Sequence, residues 1–467
     1  MTISDAELAS SRNISVEQVR RLRLTRGTTN DTLEVLPEGT LRRAIQRLAY
    51  PDRPALRAEF RSLQELGDEA AEPPLLAVES AVNERDLAVP SGEDVRIAGV
   101  PTGAAAPAES AGIGSAASWH WLGPGNIGGR TRGIVIDPVH SERMWAASAG
   151  GGVWHTGDGG TTWATVDDFL GNLACSCLVL EPAIAPATHP TIYVGTGEGF
   201  GNVDAIAGNG IFTSTDGTNW RVLAGTQTPE FRFVNRIAST GTGVMLAATT
   251  SGVFRSSDAA RAVWTKVLDG RVADVKFDPR DNGRAVAGGA RGGEAWHSAD
   301  GGQTWVPAGH DGTWLGRVEL AYAAANPDIV YASVQMANGE IWRSVDGGAT
   351  YRPRRTRTVT GAAAPYLGDQ GWYGNAIWAG DPTNENLVVV GGVNLWRSTD
   401  GGDVLAEIST WSAHPDSAHA DQHAIVAHPG YDGDGNRTVF FGNDGGVCVA
   451  TDLDAVGREI RPPYTQG

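Results

Sequence analysis

His419, Asp421 and His423 occupy alternate positions in AHADQH, the spacing at which an extended chain turns its side chains to one side. Two imidazoles and a carboxylate so placed suit a divalent metal. They also suit acid–base work with Asp421 orienting a histidine, but the expectation is a hydrogen-bonded network closing the last inter-repeat link. No cofactor is otherwise expected. Glycoside hydrolysis needs two carboxyl groups roughly 5 to 10 Å apart across a sugar, and Glu198, Asp369, Asp421 and Asp444 are the candidates. Trp314, Trp372 and Tyr373 offer rings on which a sugar can stack. Asp432, Asp434 and Asn436 in YDGDGNR resemble the start of a calcium loop. No glutamate follows at the required spacing, so a plain turn is expected.

A turn that returns seven times must position these groups. It reads HTGDGGTTW, TSTDGTNW, RSSDAARAVW, HSADGGQTW, RSVDGGATY, RSTDGGDVL and a worn VATDLDAVG, with Asp158, Asp216, Asp258, Asp300, Asp346, Asp400 and Asp452. The intervals run from 42 to 58 residues, close to one small sheet per repeat. Each repeat has an apolar strand often ending in Asp-Pro, a second strand, a glycine turn, a third strand, the aspartate turn and a short fourth strand. In HSADGG, Asp300 can accept backbone N–H bonds, Ser298 can add a second local bond, and Gly301 and Gly302 permit positive φ. The aspartates are therefore expected to be structural. The order predicts an all-β fold, a seven-bladed β-propeller over 119–467, behind a small α-helical N-terminal region (1–70) and an Ala/Pro/Gly-rich acidic linker (71–118). The outer strand of the seventh blade is expected from 458–461 or from 119–122.

Propeller geometry sorts the loops. The aspartate turns face one rim, while the blade links and inner glycine turns face the other, which is the usual binding mouth. Links place Asn126, Arg130, Arg132, Arg232, Asn235, Trp314, Arg317, Asp369, Gln370, Trp372, Tyr373, His419, Asp421 and His423 there. Inner turns add Glu198, Arg291, Asn394, Asn443 and Asp444.

The S-x-D-x-G-x-T-W turn resembles the Asp-box, or BNR, repeat of sialidase-like and sortilin-like β-propellers. WLGPGNIGGR, YVGTGEGFGN, GGVNLWRSTDGG, ADQHAI and GNDGGV resemble a bacterial group of BNR-repeat proteins often labelled glycosyl hydrolases. The resemblance covers about residues 119 to 457 and implies the propeller fold, which hosts many activities. For sialidases it implies an FRIP-like motif, three arginines for a carboxylate, and a tyrosine with its glutamate. FRFVNRI at 231–237 is not that motif, and the sequence assigns no nucleophilic tyrosine. In xyloglucanase-like propellers a catalytic aspartate precedes the glycine pair of the first inner turn, where this chain has Ala149. The expectation is a non-catalytic binding or scaffold propeller that recognises a glycan or protein at the face opposite the Asp boxes. A glycoside hydrolase using the mouth carboxylates is the alternative. A role like that of photosystem-associated BNR assembly factors rests on fold analogy alone, and those use basic patches.

The chain has 467 residues, 41% hydrophobic, and a net charge of −17, which argues against nucleic acid as a partner. Ser15 with Gln18, Thr40, and Asp52 with Pro54 read as helix starts in the N-terminal region. Its 11 arginines are balanced by 11 acids. No membrane span and no Sec signal are visible, so a cytoplasmic location or unconventional export is expected. Cys175 and Cys177, two apart in a strand, read with Cys448 as buried small side chains rather than a disulfide framework.

Overall fold

The computed structural model describes residues 129–457 apart from 167–169, 182–189, 203, 204, 242 and 414–416, together with Trp119–Gly123 and Ser4, Leu8 and Val19. The helices expected in 1–70, the linker 71–118, Asn126 and 458–461 lie outside the described residues.

Seven sheets follow one another along the chain, each built on antiparallel strands that pair in sequence order, with exceptions in blades 5, 6 and 7. Blade 1 is typical: Thr131–Ile136, Met144–Ser148, Gly152–Thr156 and Ala164–Thr165. The innermost strands of blades 2 to 7 are Cys175–Glu181, Val234–Ser239, Val272–Phe277, Val318–Tyr322, Ala376–Trp378 and Gln422–Ala427. The protein is thus a seven-bladed β-propeller. Strand alternation sends successive side chains to opposite neighbours, so the apolar core is divided into inter-blade layers. Blades 5 and 6 are joined by Tyr331 and Ile341 against Val388 and Leu405. Blades 7 and 1 are joined by Phe440 and Val447 against Ile134 and Met144.

Blade 7 takes its fourth strand from Trp119–Gly123, with Trp119 opposite Ala450 and Trp121 opposite Cys448. Of the two closures the sequence allows, this is the one seen. Blades 5 and 6 carry a fifth, parallel outer strand, Gly309–His310 beside Thr350 and Tyr351, and Arg357–Thr358 beside Val404 and Leu405.

The aspartate turns bond as their residue types predict. Asp300 Oδ1 accepts from Gln303 N and Thr304 N at 2.9 Å each, Thr304 Oγ1 donates to Oδ2 at 2.6 Å, and Ser298 Oγ accepts from Gly302 N at 2.9 Å. Gly301 and Gly302 have φ of 70° and 79°. The worn seventh copy keeps only Asp454 N to Asp452 Oδ1, at 2.9 Å, of this pattern. In YDGDGNR, Asp432 Oδ1 accepts from Asp434 N and Asn436 N, which makes it a turn anchor. Among the described residues no helix is long and apolar enough to cross a membrane.

Candidate functional site

Arg132 and His423 meet because their strands carry the same irregularity. Five innermost strands shift register near their mouth ends, between Thr131 and Gly133, Cys175 and Cys177, Val234 and Arg236, Val272 and Asp274, and Gln422 and Ala424. A bulge inserts one residue that the ladder leaves unpaired and re-aims. In the adjacent blades 1 and 7 the inserted residues are Arg132 and His423, and Arg132 Nη1 lies 2.9 Å from His423 Nδ1. The same device changes the reading of the cysteines: Cys175 packs toward blade 1 and Cys177 toward blade 3, so they do not share a face. All three cysteines are buried free thiols.

Around this contact the throat is a chain of paired charges. Glu198 receives Arg130 Nη1 and Arg132 Nε, both at 2.6 Å. Asp444 accepts from the Tyr373 hydroxyl at 2.8 Å, lies 2.7 Å from His423 Nε2, and sits 3.4 Å from Arg130 Nε. An arginine can only donate, so His423 Nδ1 is the acceptor and Nε2 carries the proton toward Asp444. Burial and the Arg132 charge hold the His423 pKa down to about 3, against the Asp444 interaction that raises it, so the ring is neutral. Burial pushes the Asp444 carboxyl up, but the His423 bond and the two arginines outweigh this and hold it well below the usual range. Burial, with the Asp444 charge, drives the Tyr373 hydroxyl far above its ordinary value.

Aromatic rings and guanidinium groups alternate through the same space. Arg130 and Arg132 lie 5.0 and 4.7 Å from the Tyr373 ring centroid, and Arg132 and Arg317 lie 4.7 and 4.1 Å from that of Phe200. The Tyr373 carbonyl accepts from Arg132 at 3.1 Å and Arg317 at 3.0 Å, which ties the link between blades 5 and 6 to the axis. Deeper down, Arg317 pairs with Glu319 at 2.6 Å, Arg236 bridges Glu319 and Asp274 at 3.2 Å each, and Lys276 pairs with Asp274.

The sequence-derived residues therefore separate. Arg130, Arg132, Glu198, Tyr373, His423 and Asp444 form one network, with Arg317 joined through Tyr373. His419, Asp421 and His423 do not converge: His419 is exposed, Asp421 is buried with φ of 64°, and both nitrogens of His423 are engaged. Among the described residues no cluster of three or more histidines, cysteines or acids is arranged to hold a metal. Trp314 is not at the mouth surface; its indole is 2% exposed, stacked on His310 at 4.3 Å in the core between blades 4 and 5. Asp369 is exposed and Trp372 half-buried on the link beside Tyr373. Arg232 is half-buried 6.0 Å from the Phe233 ring centroid, and exposed Arg291 packs on Gly201, where a Cβ would meet its Nη2 at 2.0 Å. Asn235 Nδ2 bonds Val272 O at 2.7 Å, and Asn443 Nδ2 approaches Cys448 Sγ at 3.5 Å. Asn394 Nδ2 donates to Glu407 Oε1 at 2.6 Å.

Phe200, Arg236, Asp274, Lys276, Glu319 and Glu407 were missed from sequence. The available signal for four of them is a charge interrupting an apolar innermost strand, as in VNRIAS, VADVKF and VELAY.

No protein-family model and no curated protein sequence matches the chain. Among solved structures it is similar to a GH74 xyloglucanase from Xanthomonas campestris, with TM-score 0.52 and 21% identity over 74% of this chain and 55% of that one. An ancestral GH74 enzyme gives TM-score 0.50 and 17% identity over 71% and 46%. The extracellular domain of a hybrid two component system from B. thetaiotaomicron gives 0.50 and 13% over 72% and 39%. The chain thus spans about half the length of the enzymes, or less, and the likeness is one of fold.

Proposed function

We propose that this protein is a non-catalytic recognition module of the Asp-box propeller type that holds a glycan or protein ligand at its mouth. The observation that carries this reading is the state of the throat carboxylates. Glu198 is clamped between two arginines, and Asp444 is held ionised by His423, Tyr373 and Arg130. A hydrolytic pair needs one carboxyl kept protonated to act as acid, and neither of these environments favours that. Ala149 occupies the first inner turn, where a carboxylate would be needed for xyloglucanase-like chemistry. The fold itself favours neither reading, because it is shared by a xyloglucanase and the extracellular domain of a two component system.

The second reading, a glycoside hydrolase, is favoured by the Tyr373–Asp444 hydrogen bond beside Arg130 and Arg132. Against it, Tyr373 is only 1% exposed, with its proton held by Asp444. A glycan array paired with hydrolysis assays on every hit decides between them. Binding without turnover is expected; turnover abolished by both Glu198→Gln and Asp444→Asn in folded protein would establish the enzyme instead.

A further inference from the structure

Outside the throat, blade 6 carries a second group of polar and aromatic side chains on the mouth side. Asn394 lies in the turn between Val388–Gly391 and Leu395–Ser398, and Glu407 lies in the outer strand Val404–Ser409, directly across from Trp396. Asn394 ties the corner together: its Nδ2 donates to Glu407 Oε1 at 2.6 Å, and its Oδ1 accepts from Trp411 N at 3.0 Å. Trp411 opens the short turn Trp411–Ala413 and is 53% exposed. It is the one aromatic among the exposed large hydrophobic side chains of the described residues.

The bonds made leave a defined remainder. An amide nitrogen has two hydrogens and a carboxylate has two oxygens. Asn394 uses one hydrogen and Glu407 one oxygen, so a donor and an acceptor stand side by side at the corner to which the Trp411 backbone is bonded. Burial pushes the Glu407 carboxyl upward against the Asn394 bond, as expected of a group partly removed from water. The chain neighbours of Trp411 are polar: the Thr410 and Ser412 hydroxyls lie 3.4 Å apart. A lone indole in a polar setting lacks the contiguous apolar area that protein docking requires. An aromatic face next to a donor–acceptor pair matches the C–H face and hydroxyls of a sugar ring.

We propose that Trp411, Asn394 and Glu407 form a subsite for one neutral pyranose unit of a glycan, stacked on the indole with a hydroxyl pair on Asn394 and Glu407. The proposal rests on the reading of the mouth as a recognition face. The Glu407 carboxylate and the charge of −17 disfavour acidic sugars at this corner.

The experiment is a glycan array of neutral and acidic oligosaccharides probed with the full chain, followed by titration calorimetry of the strongest neutral hit. Trp411→Ala, at an exposed position, is expected to fold normally and weaken that hit by about tenfold or more, with Trp411→Phe restoring most of it. Asn394→Ala is expected to act in the same direction, and Glu407→Gln to cause a loss of about threefold to tenfold. Neutral-glycan affinity unchanged in Trp411→Ala would overturn the subsite while leaving the recognition reading intact. Hits confined to acidic glycans, or to protein ligands, would also overturn it. Turnover of the hit would instead overturn the non-catalytic reading, whatever Trp411→Ala does.

Discussion

His423 is a base that the fold keeps uncharged, and this has a measurable consequence. Its pKa falls from 6.5 to about 3 in the native state. Below pH 6.5 the unfolded chain binds a proton that the folded one refuses, so this stability is fully present above 6.5 and declines as pH falls toward 3. The slope for one group is at most about 1.4 kcal/mol per pH unit. Denaturant titrations at pH 7 and pH 5 should therefore show a larger loss in the wild type than in His423→Asn. Glu198 makes the complementary case. Glu198→Ala leaves two guanidinium groups in the throat without their shared carboxylate and is expected to cost about 3 to 5 kcal/mol. Thermal or chemical denaturation measures it, and Glu198→Gln should cost less. Six members of this network were legible in sequence because links and inner turns must lie at the mouth. Their pairing was not, because an alternating pattern does not reveal which residue a bulge adds. The apparent His-x-Asp-x-His motif fails as a convergent set for a local reason: Asp421 adopts a left-handed backbone, so strict strand alternation does not hold there.

The aspartate turn is the element whose sequence and structure agree most closely. In the first copy the Thr162 hydroxyl and backbone N–H, with the Thr156 hydroxyl, lower the Asp158 pKa from 3.8 to about 2. A carboxylate depressed in the folded state contributes stability above its unfolded value and loses it as pH falls through its folded value. The turns at Asp216, Asp258, Asp300 and Asp346 are lowered in the same direction, and together they predict a steep acid transition between about pH 4 and pH 2, read by near-ultraviolet circular dichroism; Asp158→Asn should make it shallower. The glycines have a second duty beyond their dihedral angles. Gly402 has φ of 94°, and a Cβ there would lie 2.6 Å from Ile341 Cγ2 in the neighbouring blade. Gly402→Ala is expected to destabilise by about 1 to 3 kcal/mol in a chemical melt. The strands were legible from their apolar runs, whereas the parallel fifth strands of blades 5 and 6 were not. Gly309–His310 and Arg357–Thr358 have two residues each and no periodicity to read.

Across the whole molecule, a strongly acidic chain gathers Arg130, Arg132, Arg236, Lys276 and Arg317 at its axis, against Glu198, Asp274, Glu319 and Asp444. The count of seven blades was legible from the seven turns, but the closure was not, since both flanking segments had suitable composition. Removing residues up to 123 is expected to leave Gly446–Ala450 as an open edge strand. Such a protein should lose several degrees of melting temperature in calorimetry and associate in light scattering. Closure by a strand that precedes the first blade also orders events during synthesis. Trp119–Gly123 leaves the ribosome before any blade exists, and its partner emerges only with the last one. Until then Ile134 and Met144 have no Phe440 and Val447 to cover them. A nascent chain stalled or truncated short of the seventh blade therefore presents an uncovered flank and an unpaired strand at once, and quality-control chaperones and proteases can read both as marks of an unfinished protein.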